Sequence, residues 1–393
     1  MRRLRDSTFG IQRENAVAWA LRSVLQVNLP KVRRGTMRAC GRAHRTATGI
    51  DVSVVRYIKE IARGSDSAGD LGEEDARALF SAMLDGGVPD LELGACLIAM
   101  RMKTESLSEM LGFYAAISER LYTLRPPVAG VRPMVFATYN GARREPNLLP
   151  LLALLLRRMG IPVLLHGTLE GSGRVASAYI LRELGVLPSA SLAQAQKSLD
   201  EELLAFLPTA VLCPGLATLL SMRSRLGVRN PAHNLVKLID PFEGAGLRVI
   251  SASDPLYLSK LESFLLATGF EALLLRSTDG EPFANPRQRP KIQGFRQGEC
   301  TTLFEEEWAP AKTLAGLPPN VEASATADWI RQALDGRIPV PHPLVNQLAC
   351  CLFACGYTDD MNQAKAIAAV EAGGLMTPRT GGSAENSGPR AMH

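Results

Sequence analysis

The sequence lacks most of the features that assign a chain to a class at sight. No apolar run approaches the ~20 residues of a membrane-spanning helix. The strongest, Leu148–Leu156, has nine and reads as a buried helix, so no membrane partner is expected. An N-terminal apolar segment of the secretory kind is missing too. The seven cysteines are an odd number, and no two stand in C-x-x-C spacing, which supports neither a zinc ribbon nor a disulfide framework. Cys350, Cys351 and Cys355 lie in an apolar helical pattern ended by Gly356. Buried reduced thiols are expected there, and the reducing cytosol (a cytoplasmic protein) is the expected compartment. Nucleotide-binding glycine loops, clustered His and Cys ligands and a Ser-His-Asp elbow are all absent.

Positive charge is present but unevenly placed. The net charge is +5 over 393 residues. Residues 1–48 carry eleven Lys and Arg against Asp6 and Glu14, a net +9, which leaves the remainder at −4. Any polyanion-binding surface on the body must therefore come from local clustering. Residues 1–50 read as a basic, weakly ordered extension. A transit peptide, a translated leader or a nucleic-acid-binding arm would share that composition. Residues 376–393 have the Gly/Ser/Pro content of a disordered tail.

Between these ends two patterns follow each other. From Val52 to about Leu124 apolar residues recur at helical spacing in four short segments, which defines a helical domain over residues 51–125. After "RPPVAGVRP" strand and helix alternate: "MVFAT", "NLLPLLALLLRRMG", "IPVLLHG", "RVASAYILRELGV", and farther on "LRVISA", "DPLYLSKLESFLLATGF" and "EALLLRS". Such alternation implies a mainly parallel sheet covered by helices, here over residues 130–375. "SLAQAQKSLDEELLAF", Ser191–Phe206, reads as a polar helix crossing back, so that about 188–206 joins the helical domain. Ligands of such sheets lie beyond the carboxyl ends of the strands. That selects three loops: Thr138–Arg144, His166–Arg174 and Ser277–Pro286.

The first loop, in "VFATYNGARREPNLL", stands where many α/β proteins bind phosphate, yet it holds one glycine, Gly141. Phosphate loops normally close backbone amides of several glycines on the anion. Here Tyr139, Asn140 and Gly141 lead into Arg143 and Arg144, which with Arg174 of the second loop could grip phosphate through forked donors. Two arginines at a helix start oppose the helix dipole, and a phosphate between them would relieve that; a solvated pair is the alternative. "SMRSRLGVRN" adds Arg223, Arg225 and Arg229, whose spacings of two and four imply a turn. "NPRQRPKIQGFRQG" carries Arg287, Arg289, Lys291 and Arg296 without an acidic residue. It reads as a loop able to follow a polyanion, with Phe295 as a stacking platform, or as a solvated loop. His166 and His233 have no nucleophile or carboxylate near them in sequence, so structural roles and no catalytic residue are expected.

Several of these segments resemble a known family. "ARALFSAMLDGGVPDLELGACLIAMRMKTESLSEMLGFYAAI" is similar to the N-terminal helical domain of anthranilate phosphoribosyltransferase and the pyrimidine nucleoside phosphorylases. "VLLHGTLEGSGRVASAYILRELGV" and "MRSRLGVRNPAHNLVKLIDP" resemble later segments of that family, in family order, and the likeness spans roughly Val52 to Leu375. It implies an α/β fold: a small helical bundle domain beside a larger α/β domain with a mainly parallel sheet, the phosphoribosyltransferase class of the nucleoside phosphorylase fold. It also implies a homodimer formed through the helical domains.

Departures from the family pattern fall on its chemistry. "ATYNGARR" replaces a G-T-G-G-D phosphate loop. Lys-His-Gly-Asn becomes Leu165, His166, Gly167 and Thr168, and Gly-Pro-Leu becomes Val236, Lys237 and Leu238. "STDGEPF" keeps Asp279 and Glu281 but not adjacent carboxylates, so a magnesium–pyrophosphate site is not expected. The altered set resembles the YbiB-type subgroup of the family (glycosyltransferase family 3). That resemblance implies sequence-nonspecific nucleic-acid binding. With the arginine-rich loops it leads to an expected preference for single strands, no cofactor, and a phosphate-binding site of Tyr139, Asn140, Gly141, Arg143, Arg144, His166, Gly167, Arg174, Arg223, Arg225, Arg229, Lys237, Arg287, Arg289 and Lys291. Six or more phosphate contacts would weaken binding ~10³-fold or more between 50 and 200 mM salt. The alternative is a phosphoribosyl or glycosyl transferase with an altered acceptor, which would require magnesium and phosphoribosyl pyrophosphate.

Overall fold

The computed structural model describes residues 54–63, 68–171, 173–307 and 316–373. The basic extension and the C-terminal tail lie outside the described residues.

The chain opens on four helices: α1 (Val54–Ile61), α2 (Glu73–Leu84), α3 (Asp90–Lys103) and α4 (Leu107–Ser118). Each buries one stripe. In α1 the buried set is Val54, Tyr57 and Ile61, three and four residues apart, which is the period of one helical face. Glu73, Glu74 and Asp75 occupy the first turn of α2, where negative charge suits the helix dipole. Ser106 and Glu109 form a reciprocal capping box at the start of α4, worth ~1 kcal/mol. Phe80 and Phe113 stack with ring centroids 4.6 Å apart. Gly112 permits that approach, because a Cβ there would lie 2.2 Å from the Glu73 carbonyl oxygen.

The α/β part begins with β1 (Met134–Thr138), α5 (Leu149–Arg158), β2 (Val163–Gly167), α6 (Ser177–Glu183), α7 (Leu192–Glu202) and β3 (Leu204–Pro208). Four short helices follow: α8 (Thr209–Leu212), α9 (Pro214–Ser221), α10 (Arg223–Leu226) and α11 (Ala232–Leu235). Then come β4 (Leu247–Ala252), α12 (Pro255–Thr268), β5 (Ala272–Arg276), β6 (Ile292–Arg296) and β7 (Glu299–Phe304). The helices α13 (Ala323–Leu334), α14 (His342–Ala354) and α15 (Met361–Glu371) close the described chain.

The seven strands form one sheet in the order β3-β2-β1-β4-β5-β6-β7. The first five are parallel, and β6 and β7 are antiparallel. The chain builds outward from β1 in one direction, then restarts at β4 on the other side. This reversal is a topological switch point, the usual place for a ligand crevice. Successive residues of β1 and β2 alternate between two cores. Val135, Ala137 and Leu164 face the core shared with the helical bundle, while Phe136, Val163 and Leu165 face the one under α5, α13 and α14. None of the described helices is long and apolar enough to cross a membrane.

Three features differ from the sequence reading. The segment Ser191–Phe206 is not wholly helical, because β3 begins at Leu204; the chain turns at Leu203, a non-glycine residue at φ 59°. Asn285–Gly298 is not a continuous loop, since Ile292–Arg296 is a strand. Phe295 is buried in the bundle-side core and so cannot be a stacking platform. Cys350, Cys351 and Cys355 are buried free thiols as expected; Cys96 and Cys213 are buried too, and Cys300 on β7 is exposed.

Candidate functional site

The three loops selected by topology do meet at the carboxyl end of the sheet. Their keystone is a tight turn after β5, Thr278–Glu281, closed by mutual backbone hydrogen bonds of 2.8 and 3.2 Å. Asp279 and Gly280 sit at φ 54° and 92°, the left-handed pair that an Asp-Gly sequence adopts most readily. This turn sends two carboxyl groups into the first loop. The Asp279 carboxylate accepts the backbone amides of Arg143, Arg144 and Glu145 at 3.0, 2.7 and 3.0 Å. The Glu281 carboxyl accepts those of Asn140 and Gly141, both at 2.8 Å. Five loop amides that could close on an anion are thus held by the chain's own acidic side chains.

The two acidic groups respond oppositely to their surroundings. Burial works against charge on Asp279, but the amides of Arg144, Glu145 and Arg143, together with Arg174, outweigh it and hold its pKa below the ordinary value. Glu281 is fully buried, and burial raises its pKa despite the hydrogen bonds it accepts. The second loop docks on the same centre. Ala142 and Val175 form an antiparallel bridge, and Arg174 donates to the Asp279 carbonyl at 3.1 Å.

Around this internally neutralised loop stand cations that are not neutralised. Among the described residues, none of Arg143, Arg144, Arg174, Arg223, Arg229 or Lys237 has a carboxylate within ion-pair distance. Arg143 and Arg144 are exposed. The pKa values of Arg174 and Arg223 are lowered, first by burial and then by repulsion from Arg229. Arg229 itself donates to the Asn140 side-chain oxygen at 2.5 Å. The turn expected between Arg223 and Arg229 is present: α10 ends at Gly227, φ 73°.

Behind Arg229 a cleft of about 160 Å³ opens at the switch point between β1 and β4. Its wall includes Arg101, Glu105, Asn140, Asn234, Lys237 and Tyr257. Lys237 is 8% exposed, and its ammonium makes one hydrogen bond, to the Ser251 carbonyl at 2.8 Å. Burial, and then Arg229, push its pKa down to about 7.

Other expected contact residues lie elsewhere or serve the scaffold. His166 is fully buried in β2 with both ring nitrogens unpartnered, and burial pushes its pKa down to about 3. It is therefore a neutral core histidine, and the direct phosphate contact expected of it is corrected. Gly167 is also corrected to a packing role, because a Cβ there would lie 1.6 Å from the Thr138 carbonyl oxygen. Tyr139 is buried and donates to the His233 carbonyl at 2.6 Å. Asn140 and Gly141 are buried within the loop. Arg225 turns away to Asp90, 3.3 Å distant. Arg287 reaches the rim but pairs with Glu145 at 2.8 Å. Arg289 is drawn toward β7 by the Glu305 carbonyl, Glu307 and the Phe304 ring, so it is not part of the cluster. Lys291 is exposed beside β6.

Sequence reasoning missed the loop-clamping roles of Asp279 and Glu281, although "TDGE" announced the turn. It also missed Arg101, Glu105 and Tyr257, which come from the helical domain and α12 and carry no local signal.

The fold family implies a magnesium ion and a pyrophosphate, and these side chains do not fit them. Oδ2 of Asp279 and Oε1 of Glu281 are already taken by loop amides, and Oε2 of Glu281 faces the Ser177 hydroxyl inside the fold. Among the described residues no three His, Cys, Asp or Glu side chains are grouped as metal ligands. Magnesium needs carboxylates free to share it with substrate phosphate.

Comparison with known proteins agrees with the architecture. Residues 55–120 match the family described as "Glycosyl transferase family, helical bundle domain". The chain is 44% identical over 302 residues to the uncharacterized protein YbiB of Escherichia coli (strain K12), covering 77% of this chain and 94% of that one. It is 26% identical over 307 residues to an anthranilate phosphoribosyltransferase of Methanopyrus kandleri, covering 74% and 86%. Among solved structures, anthranilate phosphoribosyltransferase from Thermus thermophilus superposes with a TM-score of 0.65 at 23% identity, over 81% of this chain and 94% of that one.

Proposed function

Since the chain belongs to the YbiB and anthranilate phosphoribosyltransferase-like family of glycosyltransferase folds, we propose that it is a nucleic-acid-binding protein that has given up its family's transfer chemistry. It holds the phosphate backbone, preferentially of single strands and with little sequence choice, on Arg143, Arg144, Arg174, Arg223 and Arg229. The carrying observation is that this cationic cluster has no ion-pair partner among the described residues while the amides of its loop are filled from within. Clustered unpaired arginines repel one another, and a polyanion removes that repulsion while releasing its own counterions. Internally clamped amides, by contrast, are lost to a mobile pyrophosphate. The protein acts without a metal or organic cofactor, in a reducing cytoplasm that suits its free thiols.

The partner surface for a second copy is the helical domain. Leu91, Ile98 and Met102 form an exposed apolar stripe on α3, with Val55 of α1 also exposed. Residues seven and four apart lie on one helical face. A dimer joined there would carry two clusters and bind long strands more tightly than short ones.

Fluorescence anisotropy with labelled single- and double-stranded oligonucleotides tests the reading, alongside a turnover assay with magnesium, phosphoribosyl pyrophosphate and a panel of aromatic and nucleobase acceptors. Binding without turnover is expected. Turnover without binding would establish the transferase alternative instead.

A further inference from the structure

The cleft behind Arg229 differs from the exposed arginines in holding a buried cation, Lys237, in its wall. Three cations line it, Arg101, Arg229 and Lys237, and none is ion-paired among the described residues. Of its two acidic side chains, Glu105 belongs to the same wall as its partner Asn234 and favours the charged form of Lys237 against burial and Arg229, while Asp254 is taken up by a helix cap. Glu105 accepts from the Asn234 amide at 3.3 and 3.5 Å, and Asp254 caps α12 by accepting from Leu256 N at 2.9 Å. Lys237 is more than nine-tenths buried and uses only one of its three donors. Burying an ammonium so poorly satisfied is unfavourable, and an anion entering the cleft removes the penalty.

We propose that this cleft is a subsite for a phosphomonoester, held by Lys237, Arg229 and Arg101. The volume of about 160 Å³ corresponds to roughly five waters at ~30 Å³ each. That admits a tetrahedral oxyanion with some water. The phosphomonoester is supplied by a strand end or by a small phosphorylated molecule. The strand-end source rests on the nucleic-acid reading above, with the backbone lying on Arg143, Arg144 and Arg174 and its terminus turned inward past Arg229. Arg101 donates to the Tyr257 hydroxyl at 3.2 Å, which steadies it at the cleft wall.

Two arms test the subsite on the full chain. In the first, melting temperature is followed against inorganic phosphate, with chloride at matched ionic strength as control. A saturable rise is expected for the wild type and its loss in Lys237→Met, whose own melting temperature should equal or exceed the wild type because a desolvated charge is gone. Arg101→Gln, at an exposed position, should weaken the phosphate response and carries the test if Lys237→Met fails to fold. In the second arm, oligonucleotides of one sequence bearing 5′-phosphate, 3′-phosphate or only hydroxyl ends are compared. One phosphorylated end should bind about tenfold tighter, the effect of one charge-assisted hydrogen bond, and Lys237→Met should abolish the difference.

No phosphate response in the wild type, or one unchanged in both variants, overturns the proposal. A response that depends on Lys237 with no end preference supports the subsite and assigns it to small phosphorylated molecules. If no oligonucleotide binds at all, the nucleic-acid reading fails while the first arm still decides the subsite.

Discussion

Arg248 and Lys237 are both buried cations beside β4, one at each end of the strand, and the fold treats them differently. At the amino end Arg248 donates to the Leu238 carbonyl at 2.8 Å, lies 3.5 Å from the Asp240 carboxylate and packs its guanidinium 4.4 Å over the Phe270 ring. At the carboxyl end Lys237 has a single carbonyl. The sequence was able to place a carboxylate beside a buried cation and did so where no ligand is expected. A similar contrast is seen among the arginines: Arg56, Arg77, Arg120 and Arg337 are ion-paired away from the loops, and Arg287 is paired at their rim, while among the described residues Arg143, Arg144, Arg174, Arg223 and Arg229 are not. A group of five such arginines with the buried Lys237 stands where the topology places a ligand crevice, which is the physical core of the functional reading.

The comparison breaks first on stability. Arg248→Met leaves Asp240 buried without its cation and should lose about 3–5 kcal/mol, whereas Lys237→Met should be neutral or stabilising; urea denaturation of both variants measures the contrast. Equal losses would mean that Lys237 is as well satisfied as Arg248.

Next comes affinity. Replacing Arg143 and Arg144 together by Ala removes two charge-assisted contacts and should weaken oligonucleotide binding by about 100-fold. The ion-paired Arg56 and Arg337, replaced the same way, should change it by less than about twofold, since exposed pairs contribute little. Smaller and opposite to simple Coulomb expectation is Asp279→Ala. Removing a negative charge from a cationic site should tighten binding, but Asp279 holds three loop amides, so affinity should fall by about five- to tenfold.

Near neutral pH the smallest effect is on acid stability. His166 has a folded pKa pushed down to about 3 from 6.5, so below pH 6.5 the unfolded chain binds the proton and the folded one does not. Stability then falls as pH falls from 6.5 toward 3, by roughly 1 kcal/mol over the first unit. His166→Leu should flatten that part of the stability curve relative to wild type.

Much of this architecture is legible in the sequence. β1, β2, β4 and β5 are short apolar runs with both faces buried, and the helices between them keep a clear period. β3 is hidden because the polar helix α7 runs into it through Leu203 in a left-handed conformation, with no glycine to mark the turn. The β6–β7 hairpin is masked by Arg, Lys and Gln on an edge, although its Gln297-Gly298 turn has φ 52° and 79°. The basic loop residues announce themselves, and most of them do cluster. What sequence cannot supply is pairing over distance. Asp279 meets amides 134 to 136 residues away, and Arg225 finds Asp90 at a separation of 135. Whether an arginine is free or paired is decided by such contacts.

The most direct test of the central claim is the salt dependence of oligonucleotide affinity. Plotted as log K against log salt, single-strand binding by the wild type should be linear with a slope of about −4 for six contacted phosphates. Arg143→Ala with Arg144→Ala should make the slope shallower by about 1 to 2, while the Arg56 and Arg337 substitutions leave it in place. A wild-type slope near zero, or a steep slope that the Arg143 and Arg144 substitutions do not alter, would contradict the account.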